Sequence, residues 1–556
     1  MKKNLLALSI AAMVGGLSGV ANAQAVVTDT VGGRLVSNLQ TFGTLVPPGS
    51  GPQTLTVVGA NGQPVVAPAS VTQAPAANQL VVTPAGIGHI LVVPYFTTQG
   101  SHATLLNLVN TDTANGKAVK LRFRGAANSD DLFDITVFLS PGDVWTANVS
   151  ANGELSALTT ADTSCTLPSA AQIKETFGKF STNRVLDNAA AQTREGYVEI
   201  LNMADIPPRS IFNAATGELT NSALYTATKH VNGVAPCSQG VMDAQAQPLS
   251  ANPLSGNNPQ ARGYSWPTGG LMANWTVVDV GTKASFSGEA IAVRAVNAAG
   301  VSGAANLVFS PQTGDPVGAT AFNLTADPLL KLGTVRAASY DFPDLSTPYT
   351  TGGTGTPEDQ ANALAGALAT QFISNEYLTN PAVNFATDWV FSMPTRRYAV
   401  AMNYETKTIV GHGTQIAPNV NYVGGFIPAV DASNYFSAAN GGNVSLNREK
   451  TRICVDSRNL LAFDHEEQSR TSFVISPSDI LKFCGETSVL TFNGKASVLG
   501  ASLAVNNIDT KFTDGWLRIA TPGLGAGLPV VGYAVGKAIG PDGGNFGGTW
   551  MHRTSR

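Results

Sequence analysis

Charged residues are scarce in this 556-residue chain. Lys and Arg number 33 and Asp and Glu 37, together 13% of the sequence, against roughly 25% in a typical soluble domain. That rules out long acidic or basic tails. With a net charge of −4 it also rules out the concentrated basic face that nucleic acid requires. Histidine is limited to six residues and cysteine to four. No G-x-S-x-G elbow, H-E-x-x-H pair, Walker loop or Rossmann glycine pattern occurs in the chain, so the common hydrolase, metalloprotease and nucleotide signatures are missing. Beyond the first 23 residues there is no run of 18 apolar, uncharged residues, and no transmembrane helix is expected after signal removal. What remains is ample core material: 43% hydrophobic residues, with 57 Gly and 31 Pro to serve many turns.

The N-terminus carries an export pattern. Lys2 and Lys3 precede an apolar run at 5–14 and an A-x-A site at Ala21-Asn22-Ala23, which places cleavage between Ala23 and Gln24. Loss of the two lysines takes the formal charge from −4 to −6. The chain is therefore expected outside the cytoplasm: at the cell surface, extracellular or periplasmic. An even number of cysteines in an exported protein reads as disulfides. Cys165, Cys237, Cys454 and Cys484 include no C-x-x-C pair and no His at ligand spacing. Three connectivities are open; locality favours Cys165–Cys237 and Cys454–Cys484, one bridge in each half.

Four segments follow. Residues 1–23 form the signal, and 24–85 a Pro/Ala/Val/Thr-rich N-terminal arm with almost no charge after Arg34. Residues 86–350 read as a β-sandwich module with one disulfide, and 351–556 as a helix plus a second β module with the other. Short strands are expected at 89–95, 105–109, 134–139, 196–201, 274–280, 290–296, 389–393, 398–402, 489–492, 516–519 and 530–535. Between 119 and 124, Val119, Leu121 and Phe123 alternate with Lys120, Arg122 and Arg124. Alternation at period two implies a strand with one apolar and one solvated face. Six Asn-Gly pairs, Asn115-Gly116 among them, add hairpin signals. A helix is expected from Pro357, with Leu364, Leu368 and Phe372 on one stripe and acids at its positive end, and a shorter one at 173–177. The fold class is mainly β, with antiparallel immunoglobulin-like sandwich modules and one or two inserted helices.

Few residues suggest chemistry. Asp464-His465-Glu466-Glu467 is the densest set of potential metal ligands, but adjacent residues on one segment cannot all face one ion unless they form a loop, so a solvated turn or salt-bridged face is expected. Asp130, Asp131 and Asp134 read as a polar turn rather than as a paired-carboxylate acid–base site. The stretch 112–116 lacks the spacing of a calcium loop and reads as a hairpin turn. Tryptophans at 145, 266, 275, 389, 516 and 550 lie singly in or beside strands, as core residues do. No catalytic, cofactor-binding or metal residue is assigned, and no cofactor is expected.

Several stretches nevertheless form a pattern: Val92-Val93-Pro94-Tyr95, Leu139-Ser140-Pro141-Gly142-Asp143-Val144-Trp145, Asp162-Thr163-Ser164-Cys165-Thr166, Pro267-Thr268-Gly269-Gly270-Leu271, Thr387-Asp388-Trp389-Val390 with Pro394-Thr395-Arg396-Arg397-Tyr398, Gly527-Leu528-Pro529-Val530-Val531-Gly532, and the closing Gly544-Asn545-Phe546-Gly547-Gly548. Together these resemble segments of uncharacterised exported cell-surface proteins of Gram-negative bacteria, from about residue 86 to the end. The resemblance implies a location and brings no catalytic residue with it.

The resulting expectation is a non-enzymatic, exported structural protein of the cell surface. It would associate with itself or with cell-envelope components, for example as a surface-layer subunit. An adhesin or ligand-binding surface module is the alternative; an outer-membrane barrel would need longer alternating strands and aromatic girdles, and an extracellular enzyme is the remaining reading.

Overall fold

The computed structural model describes residues 77–247, 262–305, 357–396, 444–521, 527–540 and 545–555, apart from short breaks, and isolated strands at 30–35, 53–71, 340–341 and 400–416. The signal residues up to Ala23 and Gln24, the Gly-rich stretch 352–355 and Asp542-Gly543 lie outside the described residues.

The chain is mainly β, and among the described residues its strands form open sheets, none closed into a barrel. Four long strands, β1 (Ile90–Thr97), β2 (Gly116–Gly125), β3 (Asp131–Leu139) and β4 (Glu195–Ile206), form the middle of a seven-stranded antiparallel sheet. Its spatial order is Cys165–Leu167, β3, β2, β4, β1, Ile291–Val296, Gln79–Thr83. One face of this sheet carries Leu91, Val93, Val119, Leu121, Phe123, Ile135, Val137, Val198 and Ile200. It packs on a five-stranded sheet that contributes Leu106, Leu108, Trp145, Trp275 and Phe286. Successive residues of a strand point to opposite faces, so these alternate positions make one dry layer between the sheets.

The strand Gln79–Thr83 belongs to this sheet, paired with Ile291–Val296, so the sandwich begins before the boundary at residue 86 that composition suggested. Upstream, Gln53–Val58 and Pro64–Val71 pair as a two-stranded sheet of their own.

In the second half, α1 (Pro357–Leu368) leads through Ala369–Thr370 into the strand Phe372–Leu378. The helix is thus one turn shorter than its stripe implied. Leu364 and Leu368 are buried, whereas Phe372 is in a strand beneath the Arg518 guanidinium, 3.6 Å from its ring centroid. Residues 173–177 form a single π-helical turn that continues a capped turn at Ala170–Gln172. A six-stranded sheet contains β5 (Ala386–Ser392), β6 (Val531–Ile539) and, at one edge, β7 (Asn545–Met551). It includes one parallel pair, Thr487–Phe492 with Val505–Asp509. A five-stranded sheet packs on one face of it through Ile373, Tyr377, Leu517 and Ile519 against Trp389, Phe391 and Phe492.

The other face of the six-stranded sheet does not meet solvent. Val390, Val489, Tyr533 and Val535 join the apolar cluster of the first sandwich, and α1 lies on Ile90, Val92 and Val293 of the first half together with Val531. The two halves therefore share one continuous core. Close approach is enforced at Gly532, where a Cβ would stand 1.9 Å from the Val390 carbonyl oxygen.

Turn chemistry explains one departure from expectation. Asn115-Gly116 does not close a hairpin, because the strands on either side, His102–Asn110 and β2, lie in different sheets. Asp112 organises the crossover instead: its Oδ1 accepts from the Ala114 and Asn115 backbone N–H groups at 2.8 and 3.0 Å, an Asx turn. A tight hairpin does form at Asn152-Gly153, where Gly153 has φ +63°, a conformation that costs glycine little.

Candidate functional site: the polar joint between the halves

Lys120, Arg122 and Arg124 on β2 point away from the sandwich core, as their alternation predicts, but they do not reach solvent. All three are buried. The half-solvated strand expected from the pattern is corrected to a strand buried on both faces. Register places Asp134 of β3 and Glu199 of β4 on either side of Arg122, and Asp131 and Tyr197 on either side of Arg124. Lys120 Nζ lies 3.2 Å from Asp134 Oδ2, and Arg124 Nε 3.5 Å from Glu199 Oε2. A buried charge survives only when paired. Burial pushes the Asp134 carboxyl up, but Lys120, Arg122 and Arg124 outweigh it and hold its pKa below the ordinary range. Asp130, Asp131 and Asp134 are thus part of a buried charge lattice rather than an exposed polar turn.

The lid on this lattice comes from the second half. Tyr197 Oη donates to the Pro394 carbonyl at 3.4 Å, Asn128 Nδ2 to the Thr451 carbonyl, and the Thr487 N–H to the Ala126 carbonyl at 3.0 Å. Arg396, fully buried, directs its guanidinium at the carbonyls of Ile453 (2.9 Å), Phe483 (3.1 Å) and Gly485, with Glu486 3.6 Å from Nε. Burial lowers its pKa to about 10 against the pull of Glu486.

Two further links cross the joint. Glu195 Oε1 accepts from Gln99 Nε2 (2.7 Å), Ser502 N (2.8 Å) and Ser502 Oγ (2.9 Å), while Oε2 accepts from Tyr95 Oη (3.1 Å). Burial still raises its pKa. Lys537 Nζ donates to Asp279 Oδ2 at 3.1 Å and to Thr282 Oγ1 at 2.6 Å. Asp279 is opposed by burial, yet hydrogen bonds from Ser101, Thr282 and Lys537 hold its pKa below the ordinary range.

Asp388 is a further buried carboxyl. Its Oδ2 accepts from Ser497 Oγ (2.6 Å) and the Leu499 N–H (3.0 Å), but among the described residues Oδ1 has no partner. Burial raises its pKa to about 6. Burial also pushes the Tyr533 hydroxyl well up, helped by the Asp388 charge.

The remaining expected residues fall as follows. Cys165 pairs with Cys237 (Cα–Cα 5.4 Å) and Cys454 with Cys484 (4.0 Å), the local connectivity. Cys454 and Cys484 are direct cross-strand partners beside the carbonyls that hold Arg396. Asp464 closes a turn by accepting from Glu466 N and Gln468 N, and His465, 77% exposed, lies 3.0 Å from Asp514; this is a solvated turn with a salt-bridge contact. Among the described residues no group of three His, Cys, Asp or Glu could hold a metal ion. Trp145, Trp275 and Trp389 are core residues, whereas Trp516 and Trp550 are exposed. His89 is buried and His552 half-buried, and desolvation lowers the pKa of each to about 3.

A hydroxyl–histidine–carboxylate contact went unnoticed in the sequence because its members lie far apart. His230 Nδ1 is 2.7 Å from Ser140 Oγ and 3.3 Å from Asp143 Oδ2, and Nε2 is 3.2 Å from Thr163 Oγ1. A nucleophilic relay needs hydroxyl and carboxylate on opposite ring nitrogens. Ser140 and Asp143 share one nitrogen, and Thr163 gives its own proton to the Gly233 carbonyl at 2.9 Å. The arrangement ties three loops together.

Against family models, curated proteins and solved structures the chain shows no match. The site is therefore read from its own geometry: charges turned inward that join two sandwiches into one body. Among the described residues, no helix is long and apolar enough to cross a membrane.

Proposed function

We propose that the protein is an exported structural component of the cell surface that associates with further copies of itself. Two cysteine pairs at disulfide distance suit an oxidising compartment and support the export signal read at Ala23-Gln24. Burial of the chain's sparse charges in the joint supports a durable, rigid part. The observation that carries the self-association is β7. It is the outermost hydrogen-bonded strand of the six-stranded sheet, lies beside Ala284–Glu289 of the first half, has no charged residue, and exposes Phe546 (69%) and Trp550 (40%). Natural monomers guard such edges with charge or proline, and apolar exposure of this kind marks interaction surfaces. Electron microscopy and sedimentation of the purified mature protein test the reading. Ordered assemblies that are lost in the Phe546→Lys/Trp550→Lys double variant are expected. A protein that stays monomeric at high concentration defeats it and favours an adhesin or ligand-binding module.

A further inference from the structure

One buried cluster takes no part in the joint. Lys117 of β2 and Asp205 of β4 are direct cross-strand partners, with Nζ 2.7 Å from Oδ1 and side chains 0% and 1% exposed. A second carboxylate, Asp112, approaches the same Nζ at 3.8 Å. Asp205 is held from both sides: Asn202 Nδ2 donates to Oδ1 at 3.0 Å, and Thr268 directs both its backbone N–H (3.2 Å) and its hydroxyl at Oδ2. Gly270 walls the lysine stem, leaving a would-be Cβ 3.3 Å from Lys117 Cε. An amine, a carboxyl with two donors on one oxygen, and a second carboxylate are thereby buried together. These are the components of an amide-forming site.

We propose that Lys117 and Asp205 condense to an intramolecular isopeptide bond that staples β2 to β4. The step is balanced within the site. A proton passes from Lys117 Nζ to Asp205 Oδ1, leaving a free amine and a carboxylic acid. The Nζ lone pair attacks Cγ and a C–N bond forms, while the negative charge that develops on Oδ2 is stabilised by the two Thr268 donors. Asp112 takes a second proton from nitrogen and delivers it to the departing Oδ1, the C–O bond breaks, and one water leaves. The amide keeps the third proton. Neither oxidant nor co-reactant is required, and the fixed geometry supplies the effective concentration.

The environment distinguishes this pair from the other buried lysine–carboxylate contacts. Burial pushes the Asp205 carboxyl up, against the pull of Lys117 and with the push of Asp112, which favours the protonated carboxyl that the reaction needs. Asp134, opposite Lys120, is held ionised by Arg122 and Arg124 as well. Asp279, opposite Lys537, is held ionised by the hydrogen bonds around it. Both carboxyls are held toward the ionised form, so both are expected to remain ion pairs.

The test is mass spectrometry of the full-length mature protein under reducing conditions. The wild-type mass is expected one water, about 18 Da, below that of the sequence. A branched proteolytic fragment should join the peptides that contain Lys117 and Asp205. Lys117→Arg keeps the cation but removes the amine, and should restore the full mass. A wild-type protein at its full sequence mass, with residues 117 and 205 in separate peptides, overturns the proposal without recourse to any variant. A water deficit that persists in Lys117→Arg overturns it equally, by placing the dehydration elsewhere.

Discussion

Trp275 and Tyr533, one from each half of the chain, stack with ring centroids 4.3 Å apart and planes inclined by 28°. Each is fully buried, and the pair lies where the two sandwiches merge their cores. Truncation of Trp275 to Ala is expected to cost about 3–5 kcal/mol. Because the core is continuous, the loss should appear as one shifted unfolding transition. Denaturant melts followed by both fluorescence and circular dichroism check this; two separated transitions, with only the first half affected, would contradict a shared core.

Asp388 makes stability depend on pH. Its folded pKa, about 6, lies above the 3.8 of an ordinary Asp. The folded state therefore binds the proton more tightly, and the resulting stabilisation is fully present below pH ~4 and lost as pH rises through ~6. Asp388→Asn removes the buried charge while keeping the shape. It should raise stability at pH 7 by up to about 3 kcal/mol and flatten the pH dependence between ~4 and ~6. Thermal melts across that range decide the matter. Glu195, also raised by burial, acts in the same direction, and Asp279, whose pKa is lowered, in the opposite one.

The bridges close loops with sequence separations of 72 and 30. In the chain-entropy account these contribute about 4.5 and about 3.5 kcal/mol respectively. Non-reducing peptide mapping should recover Cys165 with Cys237 and Cys454 with Cys484. Cys454→Ser/Cys484→Ser should lower the denaturation midpoint and loosen the strand pair that holds Arg396, visible as faster amide exchange at Ile453 and Phe483.

Truncation separates the arm from the sandwich. Removal of residues 24–71 should leave the fold and both bridges intact, because among the described residues the strands at 53–71 pair with one another in a small sheet of their own. Removal of 24–85 takes away Gln79–Thr83 as well, exposing the edge of Ile291–Val296 and part of the surface beneath α1, where Leu80 is buried. Comparison of the two melts checks the placement of that strand; equal midpoints would place it outside the sheet.

Much of this was legible in the residues themselves. The strands around 105–109, 134–139, 274–280 and 530–535, the helix from Pro357 and the local cysteine pairing depend on short-range patterns, which sequence displays directly: period two, capping chemistry, loop length. Alternation in β2 showed that Val119 and Lys120 face opposite ways. It could not show that both faces are dry, because the partners of Lys120, Arg122 and Arg124 are Asp134 and Glu199 on neighbouring strands, and Tyr197, Asn128 and Ala126 beside them are held by 394, 451 and 487 of the second half. Nor does spacing reveal that Lys117 meets Asp205 with Asp112 and Thr268 around them, or that Trp275 meets Tyr533. Local stereochemistry chose the elements, and burial then decided which polar residues would have to satisfy one another; that second choice depends on contacts across hundreds of residues, which only the assembled sheets bring within a few ångströms.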